Sequence, residues 1–345
     1  MKKKSLSVKR KNHNLILKHL NDKDILKVFK EFKKTIDIKN KYAVAVSGGP
    51  DSLALAYFSK CVSIIYKTKI QYYLVDHKLR KDSKKEAKKV LQTLKKFKIN
   101  CRILTWKGKK PKSNIQSIAR NARYSLLTKE CKKNNIPFLL LGHHLDDLYE
   151  NFLLRILRGS GLKGLSSMDK ISENNFDNIK IIRPLMDIKK SELKKISKKV
   201  FNFFAVDPSN FNENFKRIRI RKLINTLELE GLDKNKLKLT IKNLQDANNA
   251  FNFYVKKNIN ENSFFVKEKN KFFLNKAFFN QPSEVTFRSF GEIIKIIGKK
   301  YYLPRGKSIS FIVSAIKSNK FKKTTLGGCV IQKISETVIV FSERS

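Results

Sequence analysis

Ser47-Gly48-Gly49-Pro50-Asp51-Ser52 gathers two glycines, two hydroxyls and a carboxylate into one short stretch. An apolar run, Tyr42 to Val46, precedes it, and an apolar helical pattern follows it. Two glycines between a strand and a helix let backbone N–H groups crowd round an anion, and the helix dipole adds to that attraction. Pro50 suits the first helical position, where its missing N–H costs nothing. Ser47 and Ser52 add hydroxyl donors, and Asp51 can hold a cation against phosphates. For Gly-Gly alone, a tight turn is the ordinary alternative. No Lys-Ser or Lys-Thr follows at Walker spacing, and Gly306-Lys307-Ser308 has Tyr301 where the leading glycine belongs, so it is a decoy.

Two of the five histidines, His143 and His144, stand together, and Asp146, Asp147 and Glu150 follow them. Asp147, Glu150 and Asn151 lie at i, i+3 and i+4 and share a helix face. Carboxylates there suit magnesium or an ammonium group. Capping of a helix N-terminus accounts for one acid, but not for two histidines and three carboxylates. Asp76 and His77 end another apolar run, with Arg80 beyond them. Arg120 and Arg123 are three residues apart and can present guanidinium groups together, to phosphates or to solvent. Arg155 and Arg158-Gly159-Ser160-Gly161 form a basic, glycine-rich turn. Arg183-Pro184-Leu185 closes a further run, and the Asp207-Pro208-Ser209-Asn210 turn leads into Arg217, Arg219 and Arg221 at alternating positions.

Strands and helices that alternate must position these groups. Strands are expected at 42–46, 70–75, 99–105, 137–141 and 179–183, with helices over 84–97, 115–133 and 146–158. That alternation predicts an α/β domain, a parallel sheet with helices on both faces. The loops after 46, 75 and 141 should then open onto one cleft. The expected organisation is a basic N-terminal extension and helix (1–36), a catalytic domain (37–221), a helical connector (222–261) and a small α+β C-terminal domain (262–345). Helices over 283–297 and 308–319 and strands over 324–331 and 337–341 should build the last. The asparagine runs at 210–214 and 247–252 read as composition.

Across 345 residues, 76 Lys+Arg oppose 29 Asp+Glu, a formal charge of +47. Part of that excess accompanies abundant Asn, Ile and Phe, as an AT-rich genome would produce. The remainder predicts a polyanionic partner, nucleic acid before an anionic membrane. No apolar run approaches the ~20 residues needed to span a bilayer, and Leu15-Ile16-Leu17 is too short for a signal-peptide core. The four cysteines, Cys61, Cys101, Cys131 and Cys329, are far apart and lack a Cys-x-x-Cys. That spacing suits a reduced cytoplasm rather than a cysteine-held metal.

The stretch 47–52 resembles the pyrophosphate (PP) loop of the ATP pyrophosphatases, which split ATP into AMP and pyrophosphate. Taken in order, the motifs are Ser-Gly-Gly-x-Asp-Ser (47–52), Val-Asp-His-x-Leu-Arg (75–80), Ala-Arg-x-x-Arg-Tyr (119–124), His-His-x-Asp-Asp-x-x-Glu (143–150), Arg-Gly-Ser-Gly (158–161), Arg-Pro-Leu (183–185) and Asp-Pro-Ser-Asn (207–210). Together they resemble the tRNA(Ile)-lysidine synthase family over about 42–221, and more weakly near Leu326-Gly327-Gly328-Cys329. Leu148 stands where a glutamine is expected, and Ile218 interrupts an Arg-Asn-Arg pattern.

The resemblance implies an adenine nucleotide alpha hydrolase-like fold. It also implies ATP-dependent joining of L-lysine to C2 of the wobble cytidine in CAU-anticodon tRNA(Ile). By the same resemblance, Ser47, Gly48, Gly49, Pro50, Asp51, Ser52, Asp76, His77, Arg120 and His143 would hold ATP. Magnesium would be positioned by Asp51 with Asp146 or Asp147. Asp51, Asp146, Asp147 and Glu150 would carry catalysis, with Asp147 and Glu150 binding the lysine ammonium. Arg120, Arg123, Arg158, Arg217, Arg219 and Arg221 would meet RNA or nucleotide, and the C-terminal domain would grip tRNA. Rival readings are a tRNA 2-thiocytidine thiolase of the same fold, an amide-forming ligase, and a non-catalytic RNA-binding relict. The oligomeric state, a homodimer among the alternatives, is left open.

Overall fold

The computed structural model describes residues 15–78, 83–108, 115–174, 179–205, 215–300 and 303–343. Leu79, Arg80, Asn114, Tyr301, residues 1–14 and the 207–210 turn lie outside them. The chain divides into two compact units, Met1–Ile241 and Lys242–Ser345.

In the first unit, a 3-10 turn (Lys18–Asn21) leads into α1 (Lys23–Lys33). The Asp22 carboxylate caps α1 by accepting the Asp24 and Ile25 N–H groups at 3.0 and 3.1 Å. Ile25, Val28, Phe29 and Phe32 form its buried stripe. Next come β1 (Tyr42–Val46), α2 (Pro50–Tyr66), β2 (Ile70–Asp76), α3 (Ser83–Lys96), β3 (Cys101–Thr105) and α4 (Ile115–Lys133). Then β4 (Phe138–Leu140), α5 (Leu145–Ile156), α6 (Leu162–Leu165), β5 (Ile171–Asn174), β6 (Ile179–Ile182), α7 (Lys190–Phe201) and α8 (Lys216–Leu229) follow.

The six strands lie in the order β3-β2-β1-β4-β6-β5. All neighbours are parallel except β5, which runs against β6. Alternate residues feed two separate cores. Val44, Val46, Leu74, Leu140 and Ile182 pack with Phe58 and Leu53 of α2 and Leu193 of α7. Ala43, Tyr73, Leu139 and Ile181 pack with Leu127 and Cys131 of α4. Both faces of the sheet are thus covered, which is why its inner strands are largely apolar. The strands and helices expected over 42–183 are present, their ends coinciding with the expectation or shifted by one or two residues. β5 was not anticipated, because Ser172 and Glu173 give it a polar sequence; it is an edge strand.

The chain turns from one side of β1 to the other, pairing it first with β2 and then with β4. Such a switch point opens a crevice at the carboxyl ends of the strands.

The long helix α9 (Lys234–Asn262) carries the boundary between the units. The helical connector expected over 222–261 consists of the end of α8 and the whole of α9 but for its last residue, separated at 230–233. Beyond lie β7 (Ser263–Val266), β8 (Lys271–Leu274), α10 (Lys276–Phe279), α11 (Ser283–Ile297), α12 (Gly306–Lys317), β9 (Lys323–Leu326), β10 (Cys329–Ile334) and β11 (Thr337–Ser342). Their antiparallel sheet has the order β7-β8-β11-β10-β9. Gly327 and Gly328, at φ +66° and +83°, turn β9 into β10. The β7–β8 hairpin was not anticipated. Asn248, in a run that reads as composition, is buried and accepts from Arg288 Nη1 at 2.7 Å.

Candidate active site

The glycine loop leaves β1 at Ser47 and enters α2 at Pro50, the first helical residue. The N–H groups of Ser47 and Gly48 both donate to Ser52 Oγ at 3.1 Å, and that hydroxyl donates to Gly49 O at 3.0 Å. Ser52 thus ties the loop back onto the helix N-terminus and fixes its shape. Gly48 is left-handed (φ +88°), and a Cβ there would sit 2.5 Å from Val90 Cγ2 of α3. Gly48 O accepts the Ala205 N–H at 2.9 Å. Only glycine meets both demands.

The carboxyl ends of β1, β2 and β4 surround a cleft of about 390 Å³. Ser47, Asp51, Ser52, Asp76, His77, Arg123 and His143 all line it, so three loops far apart in sequence meet as expected. Gly142 permits the approach: a Cβ there would lie 3.2 Å from the backbone of Asp51 and Ser52. Asp76 is buried, and its carboxylate accepts the Lys78 N–H at 2.9 Å. His77 has a buried Nδ1 without a partner. Burial first, and Arg123 second, push its pKa below the usual histidine value.

His144 sits among the acids. It is buried at the N-cap of α5, and its N–H donates to Asp147 Oδ2 at 3.1 Å. Its Nε2 lies 3.6 Å from Asp51 Oδ2 and 3.5 Å from Asp147 Oδ2. Nδ1 faces Asp146 Oδ2, also at 3.6 Å. Burial opposes charge on this ring, but Asp51 and Asp147 outweigh it and the pKa is raised. Asp51 and Asp146, paired in the sequence as metal ligands, therefore stand on opposite nitrogens of one imidazole. Asp146 is further engaged by the Lys190 N–H at 2.9 Å, at the start of α7. Asp147 is the acid on the same side as Asp51. Asp51 Oδ1 is buried and has no partner. Among the described residues, no group of three or more His, Cys, Asp or Glu side chains is arranged to hold a metal ion.

Glu150 is 2% exposed and paired with Arg221 of α8. Nε donates to Oε1, and Nη2 reaches Oε2 at 3.4 Å. The alternating arginines fall on a helix, not an extended segment. Residues i and i+2 diverge by roughly 200° and i, i+4 share a face, so Arg217 and Arg221 belong together and Arg219 does not. Arg217 acts electrostatically on His143 and Arg123. Arg120 donates to the Tyr124 hydroxyl at 3.2 Å, and Arg120 and Arg123 lie 5.0 and 5.8 Å from the Tyr124 ring centroid. Arg158 is exposed in the turn after α5, outside the residues that line the cleft.

Sequence reasoning did not select Arg183 or His144 as site residues. Arg183 is buried and donates through Nε to His143 Nδ1 at 3.2 Å. The signal for His144 was legible: an N-cap position with an acid three residues later, as in a capping box.

A glycine loop on a helix N-terminus, at the switch point of a parallel sheet, is the arrangement of a nucleotide-binding α/β protein, and the family match makes its class that of the PP-loop proteins. Residues 18–227 match the family model of the PP-loop domain. The chain is 35% identical over 314 residues to the tRNA(Ile)-lysidine synthase of Wolbachia pipientis wMel, covering 89% of this chain and 71% of that one. It is 34% identical over 320 residues to the tRNA(Ile)-lysidine synthase of Orientia tsutsugamushi, covering 88% and 70%. Among solved structures, the U34-tRNA thiolase NcsA from Methanococcus maripaludis shares the fold. Its TM-score is 0.54 at 20% identity, over 65% of this chain and 80% of that one. The chain belongs to the tRNA(Ile)-lysidine synthase family of PP-loop enzymes.

Proposed function

We propose that the protein joins L-lysine to C2 of the wobble cytidine of CAU-anticodon tRNA(Ile), at the expense of ATP. The observation that carries this reading is the meeting, in one cleft, of the phosphate loop with Asp51, Asp76, His77, Arg123 and His143, Asp51 also lying against His144. The cytosine C2 oxygen is a poor leaving group. In the first step it attacks the α-phosphate of ATP, forming an adenylated cytidine and releasing pyrophosphate. In the second, the lysine amine attacks C2, loses a proton and expels AMP.

The N–H groups of Asp51 and Ser52 at the start of α2 and the Ser47 hydroxyl would bind phosphate oxygens, with Arg120, Arg123 and Arg217 offsetting charge on departing pyrophosphate. Asp76 and His77 would contact the nucleotide. The unpartnered Oδ1 of Asp51 fits magnesium, which commonly takes one or two carboxylates together with substrate phosphates. Asp51 with Asp147, the acid on its side of His144, would hold it, and the ion would supply electrostatic stabilisation of the phosphates. Glu150 is 2% exposed and taken up by Arg221, so of the two acids Asp147 is the one proposed to meet the lysine ammonium.

Cys61, Cys101 and Cys131 have thiols pushed up to about 12, and Cys329 to about 11, by burial. Thiols held protonated are poor nucleophiles, which favours lysine ligation over sulfur transfer. No helix among the described residues is long and apolar enough to cross a membrane. The exposed lysines of the second unit suit tRNA phosphates, and the cytoplasm is the proposed compartment.

The test is incorporation of labelled lysine into CAU-anticodon tRNA(Ile), with and without ATP. Incorporation should require ATP and vanish when the wobble cytidine is replaced. ATP cleavage with no lysine transfer would overturn the reading.

A further inference from the structure

We propose that Arg183 is a positioning residue that fixes His143 in the tautomer carrying its proton on Nε2. His143 then serves the cleft as a hydrogen-bond donor to a phosphate oxygen, rather than as a base. The role assigned to that donor rests on the nucleotide reading above; the tautomer does not.

A guanidinium has no acceptor, so the 3.2 Å contact from Arg183 Nε to His143 Nδ1 requires a lone pair on Nδ1. The single proton of a neutral ring must then sit on Nε2. Arg183 is itself held from the side of β5: Nη1 donates to Asp169 O at 2.8 Å and to Ser172 Oγ at 2.9 Å. A side chain fastened at three points cannot turn away to let Nδ1 become a donor. Burial first, then Arg183, Arg120, Arg123 and Arg217 hold the His143 ring well below the usual histidine pKa, although Asp51, Asp76, His77 and Glu86 line the same cleft. Nε2 is the nitrogen left over, on a residue that lines the cleft. A neutral N–H donor suits an oxygen on which negative charge grows, because it stabilises the anion and stays protonated itself.

The experiment is ¹⁵N NMR of the imidazoles of the full chain, with His143 assigned by its loss in His143→Gln. The protonated-Nε2 pattern should persist unchanged from pH 5.5 to 8, and the Nε2 signal should shift when inorganic pyrophosphate is added. A protonated Nδ1, titration near pH 6.5, or no response to pyrophosphate would each overturn the proposal. In Arg183→Gln the tautomer should become mixed. Because Arg183 is buried and that variant can fail to fold, a second pair tests the same point. The glutamine amide nitrogen reaches the place of Nε2, and that of asparagine the place of Nδ1. Pyrophosphate release should therefore survive His143→Gln to within about tenfold and fall about 10²-fold or more in His143→Asn. Equal losses in both would refute the donor role. Failure of lysine transfer with the tautomer intact would instead count against the ligase reading alone.

Discussion

The guanidinium of Arg221 clasps the carboxylate of Glu150 on both oxygens, across 71 residues of chain. Glu150 is 2% exposed and Arg221 32%, so the acid depends on this one partner for its charge. Removing one member of a buried pair costs more than removing both, because an uncompensated charge remains. Arg221→Ala should lower stability by about 3 kcal/mol. Arg221→Ala with Glu150→Gln should recover part of that loss, as urea unfolding of the three proteins would show.

Gly48 carries a left-handed backbone against Val90. Gly48→Ala should cost about 2 kcal/mol from backbone strain and weaken ATP binding. Adding Val90→Ala removes the clash but not the strained φ. Calorimetric ATP titrations should show only partial recovery in the double variant.

The two steps of the reaction should separate by residue. Asp51→Asn should slow pyrophosphate release about 10²–10³-fold. Asp147→Asn should instead raise the KM for lysine while leaving much of the pyrophosphate release in place. Parallel assays of pyrophosphate and labelled lysine decide it; equal losses in both assays for Asp147→Asn would remove Asp147 from lysine binding.

His144 gives the fold a defined pH response. Its folded pKa is raised above the usual 6.5: burial works against the charge, but Asp51 and Asp147 prevail. A raised histidine pKa means that the folded state holds the proton more tightly. The stabilisation is therefore complete below pH 6.5 and is lost as pH rises through the folded value. In thermal unfolding between pH 6 and 9, without nucleotide or magnesium, the stability advantage of the native chain over His144→Asn should shrink as pH rises; the lowered His77 and His143 pull the other way in both proteins and cancel in the comparison. Asparagine keeps the N-cap, so the comparison isolates the charge.

Lys320, Lys322 and Lys323 are exposed in the second unit. If they meet tRNA phosphates, affinity should fall more than about tenfold between roughly 50 and 200 mM salt. Replacing all three by alanine should flatten that dependence in filter-binding measurements. An unchanged slope would place the contacts elsewhere.

Much of this protein was determined by sequence-local physics. The alternation of apolar runs with helical stripes gave the parallel sheet, since a strand covered on both faces must be largely apolar. The phosphate loop was legible because glycine, proline and serine there answer backbone demands within a few bonds. Three strands of only four residues escaped notice: β5 carries Ser172 and Glu173, and β7 and β8 form a brief hairpin, whereas the edge strands β3 and β9 fell on expected stretches. Tertiary structure alone decided which charges face each other. His144 separates Asp51 from Asp146, Arg221 claims Glu150, and Arg183 orients His143, because packing of α2, α5, α7 and α8 on the sheet sets those distances. The arginines at 217, 219 and 221 make the point most plainly. Their spacing is the same in a strand or a helix, but only the helix puts 217 and 221 on one face and turns 219 away.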